Sequence, residues 1–134
     1  MSEQTIGASF EQQFPVESQH LASQVGSGSI DVLGTPTVIA WMEGTAAALV
    51  QPLLEEGCTT VGSQVHVEHL APTVEGDTVT VRAALTAAEG RVYTFSLEAA
   101  DSAGCIAKGT HQRVSVKADR FLEKARQRRD AANG

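Results

Sequence analysis

The chain has 134 residues, 42% of them apolar and 19% charged, with a formal net charge of -6. That length supports one domain with a single core, spanning residues 1–134, and no apolar run is long enough to cross a bilayer. The opening Met1-Ser2-Glu3-Gln4-Thr5-Ile6 lacks the basic and apolar regions of a secretory signal, which predicts a cytoplasmic protein, and the negative charge argues against general nucleic-acid binding.

Residues 1–8 read as a loose terminus. Phe10 to Val16 predicts a first strand, with Pro15 placing its end at a sheet edge. Residues 18–34 carry Ser23, Gly26, Ser27, Gly28, Ser29 and Gly34 and read as a mobile loop of lid length. Thr35 suits an N-cap and Pro36 the first helical position, so a helix is expected from there to about Leu54, bending near Pro52 and stopping at Gly57. It is apolar nearly all round, which predicts that other structure wraps it. Thr59 to Leu70 alternates like a strand, and Ala71-Pro72 breaks it. Asp77 to Ala87 alternates again, Glu89-Gly90 reads as a hairpin turn, and Arg91 to Ala100 is the next strand. A last strand ends near Val116. Cys58 and Cys105 show no metal-type spacing and read as free thiols. Residues 118–129 predict a basic amphipathic helix. The segment 117–129 holds six basic and two acidic residues, net +4, which leaves -10 for the rest. Such a segment is either a solvated helix face or a place to meet phosphates. The order is strand, lid loop, long helix, then four meandering antiparallel strands. This is α+β, a central helix held in a curved antiparallel sheet, the layout of the hotdog fold.

Glu43 stands out as the only charged side chain between Asp31 and Glu55, inside a run that otherwise reads as a buried helix. A carboxylate there must be paired, hydrogen-bonded or neutralised. It is either tuned for proton transfer or a structural group capping a strand end or an amide. Thr35 lies on the same helix, about 80° away around its axis by helical geometry. His69 closes the following strand and shares the apolar face of Val65 and Val67, so it is expected to look toward the helix, with His66 facing outward. A hydroxyl, a carboxylate and an imidazole on one pocket suit acyl transfer. The plainer readings are an N-cap for Thr35 and a satisfied core histidine for His69. Metal binding is disfavoured, since His66 and His69 lie on opposite strand faces.

At these residues the chain resembles the hotdog-fold acyl-CoA thioesterases of the fluoroacetyl-CoA thioesterase type. The likeness runs from about residue 8 to residue 129. It is carried by Gly34-Thr35, Trp41-Met42-Glu43, Val61-Gly62, Val65 to His69 with Ala71-Pro72-Thr73, Gly76 to Val81, and Gly109-Thr110-His111-Gln112-Arg113. The resemblance implies a Thr35, Glu43, His69 catalytic set, Gly62 beside the acyl group through its backbone N–H, and Arg113 at the pocket. It implies no metal or bound cofactor, and a homodimer with helices side by side and sheets joined edge to edge. One departure stands in the lid. The fluoroacetyl-specific lid closes aromatic residues over the acyl group, and Val25-Gly26-Ser27-Gly28-Ser29-Ile30 has none. Such a lid fits another short acyl group or a broader range. The Gly-Ser-Gly-Ser stretch is no phosphate loop, because no Gly-Lys-Ser/Thr follows. Arg91, Lys108 and the basic tail are the candidates for CoA phosphates. The expected function is hydrolysis of a small acyl-CoA. Its rivals are a CoA-using hydratase or dehydratase and a non-catalytic acyl-CoA or small-ligand binding module.

Overall fold

A computed structural model of the chain describes residues 6–134. Five strands form one antiparallel sheet in the order β1-β3-β4-β5-β2. They are β1 (Ser9–Pro15), β2 (Cys58–His69), β3 (Thr78–Glu89), β4 (Val92–Asp101) and β5 (Gly104–Lys117). The helices are α1 (Ala22–Val25) in the lid segment, α2 (Thr35–Val50) and α3 (Ala118–Asn133). A single 3-10 turn, Gln51–Leu53, ends α2 where Pro52 removes a backbone donor.

The core follows from two periodicities. Val38, Met42, Ala46 and Val50 recur every fourth residue of α2 and are all 0% exposed. They meet the inward faces of β3 (Val79, Val81, Ala83, Leu85) and β4 (Tyr93, Phe95, Leu97, Ala99), which alternate with outward residues as a half-buried sheet must. On the outward face Glu11, Arg82, Glu98, Lys108 and Glu68 stand opposite one another across all five strands. None of these pairs closes to ion-pair distance, so the row gives only a screened, long-range attraction.

Several expectations are corrected. Only β3, β4 and β5 meander, whereas β2 pairs with β5 and β3 with β1. The segment between β2 and β3, residues 70–77, is too long for a tight hairpin and carries the chain across the sheet. The helix α2 is not wrapped on every side, because Pro36, Ala40, Gly44 and Ala48 form an exposed stripe opposite its buried row. These small residues look apolar in sequence but leave that face open. The lid is pinned at its base. Leu21 and Leu33 are buried and form a β-bridge, and the Leu33 amide donates to the Thr73 carbonyl at 2.8 Å. Of the terminus expected to be loose, residues 1–5 lie outside the described residues, and Gly7 donates to the Leu85 carbonyl at 2.7 Å. No helix among the described residues is long and apolar enough to cross a membrane.

Candidate active site

The site begins at the N-terminus of α2. Gly34, not Thr35, is the N-cap: its carbonyl accepts from Thr37 at 3.0 Å and from Val38 at 3.1 Å. Thr35 is therefore the first helical residue, and its hydroxyl is not used in capping. That hydroxyl lies 2.8 Å from Nδ1 of His69. His69 reaches it because it ends β2, just before Ala71-Pro72 turns the chain away. The pair sits in an open cleft of about 280 Å³ between the lid (Ala22, Ser27, Val32, Leu33) and Leu70-Ala71-Pro72. Burial holds the His69 pKa below the usual imidazole value, with the Ala71 backbone pulling it back in part. Its Nε2 is buried and has no hydrogen-bond partner among the described residues. A buried polar atom left open in this way calls for an explanation.

A second cluster lies two turns further along α2. Eight residues at about 1.5 Å rise put Glu43 about 12 Å along the axis from Thr35. Its carboxylate is 3.6 Å from the Arg113 guanidinium and 4.0 Å from Nε2 of His111, and its side chain remains 40% exposed. The run around Glu43 is thus less buried than its sequence suggests, because the neighbouring Ala40 and Gly44 cover little. Arg113 is held rigidly: Nε donates to the Thr60 hydroxyl at 2.7 Å and an Nη donates to the Thr60 carbonyl at 2.9 Å. Burial lowers its pKa and the Glu43 charge raises it again, and a guanidinium stays charged throughout the working pH range.

His111 completes the second cluster. It is 2% exposed, and its Nδ1 lies 2.7 Å from the Gln64 carbonyl. A carbonyl only accepts, so Nδ1 carries the proton. Nε2 then accepts from Arg113 at 3.1 Å. This is the neutral tautomer, and burial, aided by the Arg113 charge, keeps the His111 pKa below its usual value against the Gln64 bond and the Glu43 charge.

Gly62 belongs to the same cluster. A Cβ there would stand 2.6 Å from Oε2 of Glu43 and 3.2 Å from Cε1 of His111. Only a glycine leaves the carboxylate its place. Gly62 also borders the β-bulge between Gly62 and Gln64, where β2 shifts register against β5. Val65 stays on the inward face, opposite the buried His111, and is 43% exposed because β2 lies at the sheet edge.

Within one chain the structure thus brings Thr35 to His69 and Glu43 to Gly62 and Arg113, but leaves the two groups apart. Two partners were not read from the sequence as site residues, His111 and Thr60. Alternation in β5 offered a signal for the first, since His111 and Arg113 fall two residues apart on one strand face. The Thr35–His69 contact puts a hydroxyl at hydrogen-bond distance from an imidazole, and among the described residues no carboxylate joins the pair.

The family described as fluoroacetyl-CoA-specific thioesterase matches residues 16–119. The fluoroacetyl-CoA thioesterase of Streptantibioticus cattleyicolor is 35% identical over 101 residues, covering 75% of this chain and 73% of that protein. A solved structure of the fluoroacetyl-CoA thioesterase superposes with a TM-score of 0.87 at 30% identity, over 91% of this chain and 95% of that one. A hot-dog-like protein from Thermanaerovibrio acidaminovorans follows at 0.84 and 26% identity, over 92% of this chain and 91% of its own. With this fold, and a family match spanning most of its length, the chain belongs to the fluoroacetyl-CoA-specific thioesterase family and has the hotdog fold.

Proposed function

We propose that the protein hydrolyses small acyl-CoA thioesters at a site shared between the two subunits of a homodimer. The observation that carries this reading is the Thr35–His69 contact of 2.8 Å, with His69 Nε2 buried and unpartnered. If Nδ1 accepts from the Thr35 hydroxyl, Nε2 carries a proton and needs an acceptor. Glu43 of the partner subunit supplies it once the groups that bury Nε2 in the single chain move aside on dimerisation. Its side chain is 40% exposed in the single chain. The exposed Pro36, Ala40, Gly44, Ala48 stripe lets a second α2 approach closely, and the 12-residue edge strand β2 offers unpaired backbone groups to a second β2.

In this reading Thr35 Oγ1 attacks the thioester carbonyl carbon as His69 Nδ1 takes its proton. The C–S bond breaks, and the CoA thiolate leaves with that proton. Water then attacks the acyl-Thr35 ester, His69 takes a proton from it, and Thr35 recovers its own as the acid departs. Glu43 balances the imidazolium that forms twice. Arg113 fixes Glu43, and the Gly62 backbone lies beside the acyl group. The chemistry uses side chains and water alone, and a CoA thioester substrate fits a cytoplasmic enzyme. The open lid, without an aromatic side chain from Val25 to Ile30, favours short acyl groups beyond fluoroacetyl.

Thiol release from a panel of short, branched and halogenated acyl-CoAs tests this. Glu43→Gln is expected to lose about 10²–10⁴-fold in kcat while staying folded. Thr35→Ser retains turnover and Thr35→Ala does not. Binding of acyl-CoA without turnover on any member would make the protein a binding module instead, and water addition to an enoyl-CoA would make it a hydratase.

A further inference from the structure

The reaction outlined above leaves one buried titratable side chain without a part in it. His111 lies two residues before Arg113 on β5, and both of its ring nitrogens are engaged. Its neighbours hold it in one pose. Beside the bulge between Gly62 and Gln64, the Gln64 carbonyl lies 2.7 Å from Nδ1. The buried Phe95 ring, directly across on β4, stands 6.1 Å away centre to centre. On the Gly62 side even an added Cβ would come within 3.2 Å of Cε1. The Gln64 carbonyl can only accept, so Nδ1 carries the proton and Nε2 presents its lone pair to Arg113.

The distances around the guanidinium show what that lone pair does. Nε donates to the Thr60 hydroxyl at 2.7 Å, Nη2 to the Thr60 carbonyl at 2.9 Å, and Nη1 to His111 Nε2 at 3.1 Å. The same Nη1 stands 3.6 Å from Glu43 Oε2. An arginine and a carboxylate free to meet close to about 2.7–2.9 Å, commonly through two parallel bonds. Here three bonds turn the fork toward Thr60 and His111 and hold it short of that contact. His111 Nε2, 4.0 Å from the carboxylate, has no proton to give it. Glu43 therefore lies in the field of the Arg113 charge, yet no side chain among the described residues donates a hydrogen bond to it. A carboxylate that has to accept an N–H from across a dimer interface needs both properties: a fixed place and unspent lone pairs.

We infer that His111 is a positioning residue for the thioesterase reaction: it accepts the Nη1 hydrogen of Arg113, keeps the guanidinium from closing onto Glu43, and so leaves that carboxylate free for His69 of the partner subunit. No proton moves at His111 itself. The inference rests on the role proposed for Glu43, and deepens it by naming the group that keeps the carboxylate available.

Three substitutions separate the acceptor from the packing. His111→Leu keeps the bulk of the ring and removes both bonds. His111→Asn can still donate to the Gln64 carbonyl, but its amide ends short of Arg113. His111→Gln can carry an amide oxygen to the place of Nε2. Thiol release from acetyl-CoA and fluoroacetyl-CoA, beside thermal melts, should show kcat falling about 10–100-fold in the leucine and asparagine variants. KM should stay within about twofold, and the glutamine variant should return to within about threefold of the wild-type kcat. In an Arg113→Met background His111→Asn should change kcat by less than about twofold, because no guanidinium remains to close. Crystal structures give a readout independent of turnover: the Arg113 Nη1 to Glu43 Oε2 distance should shorten from 3.6 Å to about 2.8 Å in His111→Asn and stay long in His111→Gln. An equal fall in kcat in both Arg113 backgrounds, an effect on KM alone, or an unshortened contact in the asparagine variant would overturn the assignment. Wild-type kcat in His111→Asn beside an inactive Glu43→Gln would overturn this inference alone, whereas wild-type kcat in Glu43→Gln would overturn the reading of the site beneath it.

Discussion

Gly62→Ala separates the catalytic from the structural meaning of the Glu43 cluster. Gly62 is not among the residues with positive φ, so alanine takes its backbone without strain. The added Cβ would lie 2.6 Å from Glu43 Oε2, and ordinary contact begins at 3.4 Å, so the carboxylate must retreat by about 0.8 Å. It has room to do so, being 40% exposed, but the move stretches its 3.6 Å contact with Arg113. A half-exposed ion pair of this kind is worth about 0.5 kcal/mol, and its loss should lower Tm by only about 2–3 °C. A misplacement of about 1 Å in a reacting group, by contrast, costs about 10²-fold in rate. Thiol-release kinetics beside thermal melts followed by circular dichroism read both effects. The expected result is a fall in kcat of about two orders of magnitude with a nearly unchanged melt. A kcat within about threefold of wild type would refute the role given to Glu43, since the geometry leaves the carboxylate no way to keep its place.

The remaining predictions concern the network around that carboxylate. Arg113→Met removes donors from the Thr60 hydroxyl, the Thr60 carbonyl and His111 Nε2 in a buried setting, and should cost about 3 kcal/mol, or about 10 °C in Tm. Arg113→Lys should recover only part of this, because an ammonium cannot present the planar fork; a loss below about 1 kcal/mol for the methionine variant would contradict the network. His69 and His111 are both held below the usual imidazole pKa of 6.5, chiefly by burial. Below that pH the unfolded chain binds more protons than the folded protein, so their contribution to stability is full above 6.5 and lost as the pH falls through the depressed native values. Thiol release should also fall on the acid side, because in the proposed mechanism His69 must be neutral to take the Thr35 proton. Stability lost already above pH 6.5 would contradict the burial of these imidazoles.

What could be read from the sequence follows the range of the interactions involved. The buried row of α2 and the alternation of β3 and β4 are local patterns, and they place the core directly. The position of β2 is different. Its alternation satisfies a neighbour on either side, and only the long-range pairing with β5 puts it at the edge. Thr35 is displaced by one residue from its expected cap, a shift within the usual scatter of helix ends, and that shift is what frees its hydroxyl. The lid reads as mobile by composition, yet two buried leucines, Leu21 and Leu33, anchor it. In the site, the angular reading of α2 put Thr35 and Glu43 on one side but ignored their separation along the axis. His111 was legible only as an inward strand residue, because nothing in its local sequence distinguishes a network histidine from a packed one.

The shared site is tested most directly by mixing two inactive subunits. Thr35→Ala and Glu43→Gln homodimers should each be inactive. Co-expressed, they form heterodimers in which one site carries both substitutions and the other carries neither. Thiol release should then recover to about a quarter of the wild-type level, as random pairing makes about half of the dimers mixed with one sound site in each. Recovery at that level would place the two halves of the site on different subunits. No recovery, with mixed dimers confirmed by mass spectrometry, would contradict the shared site and return the catalytic set to a single chain.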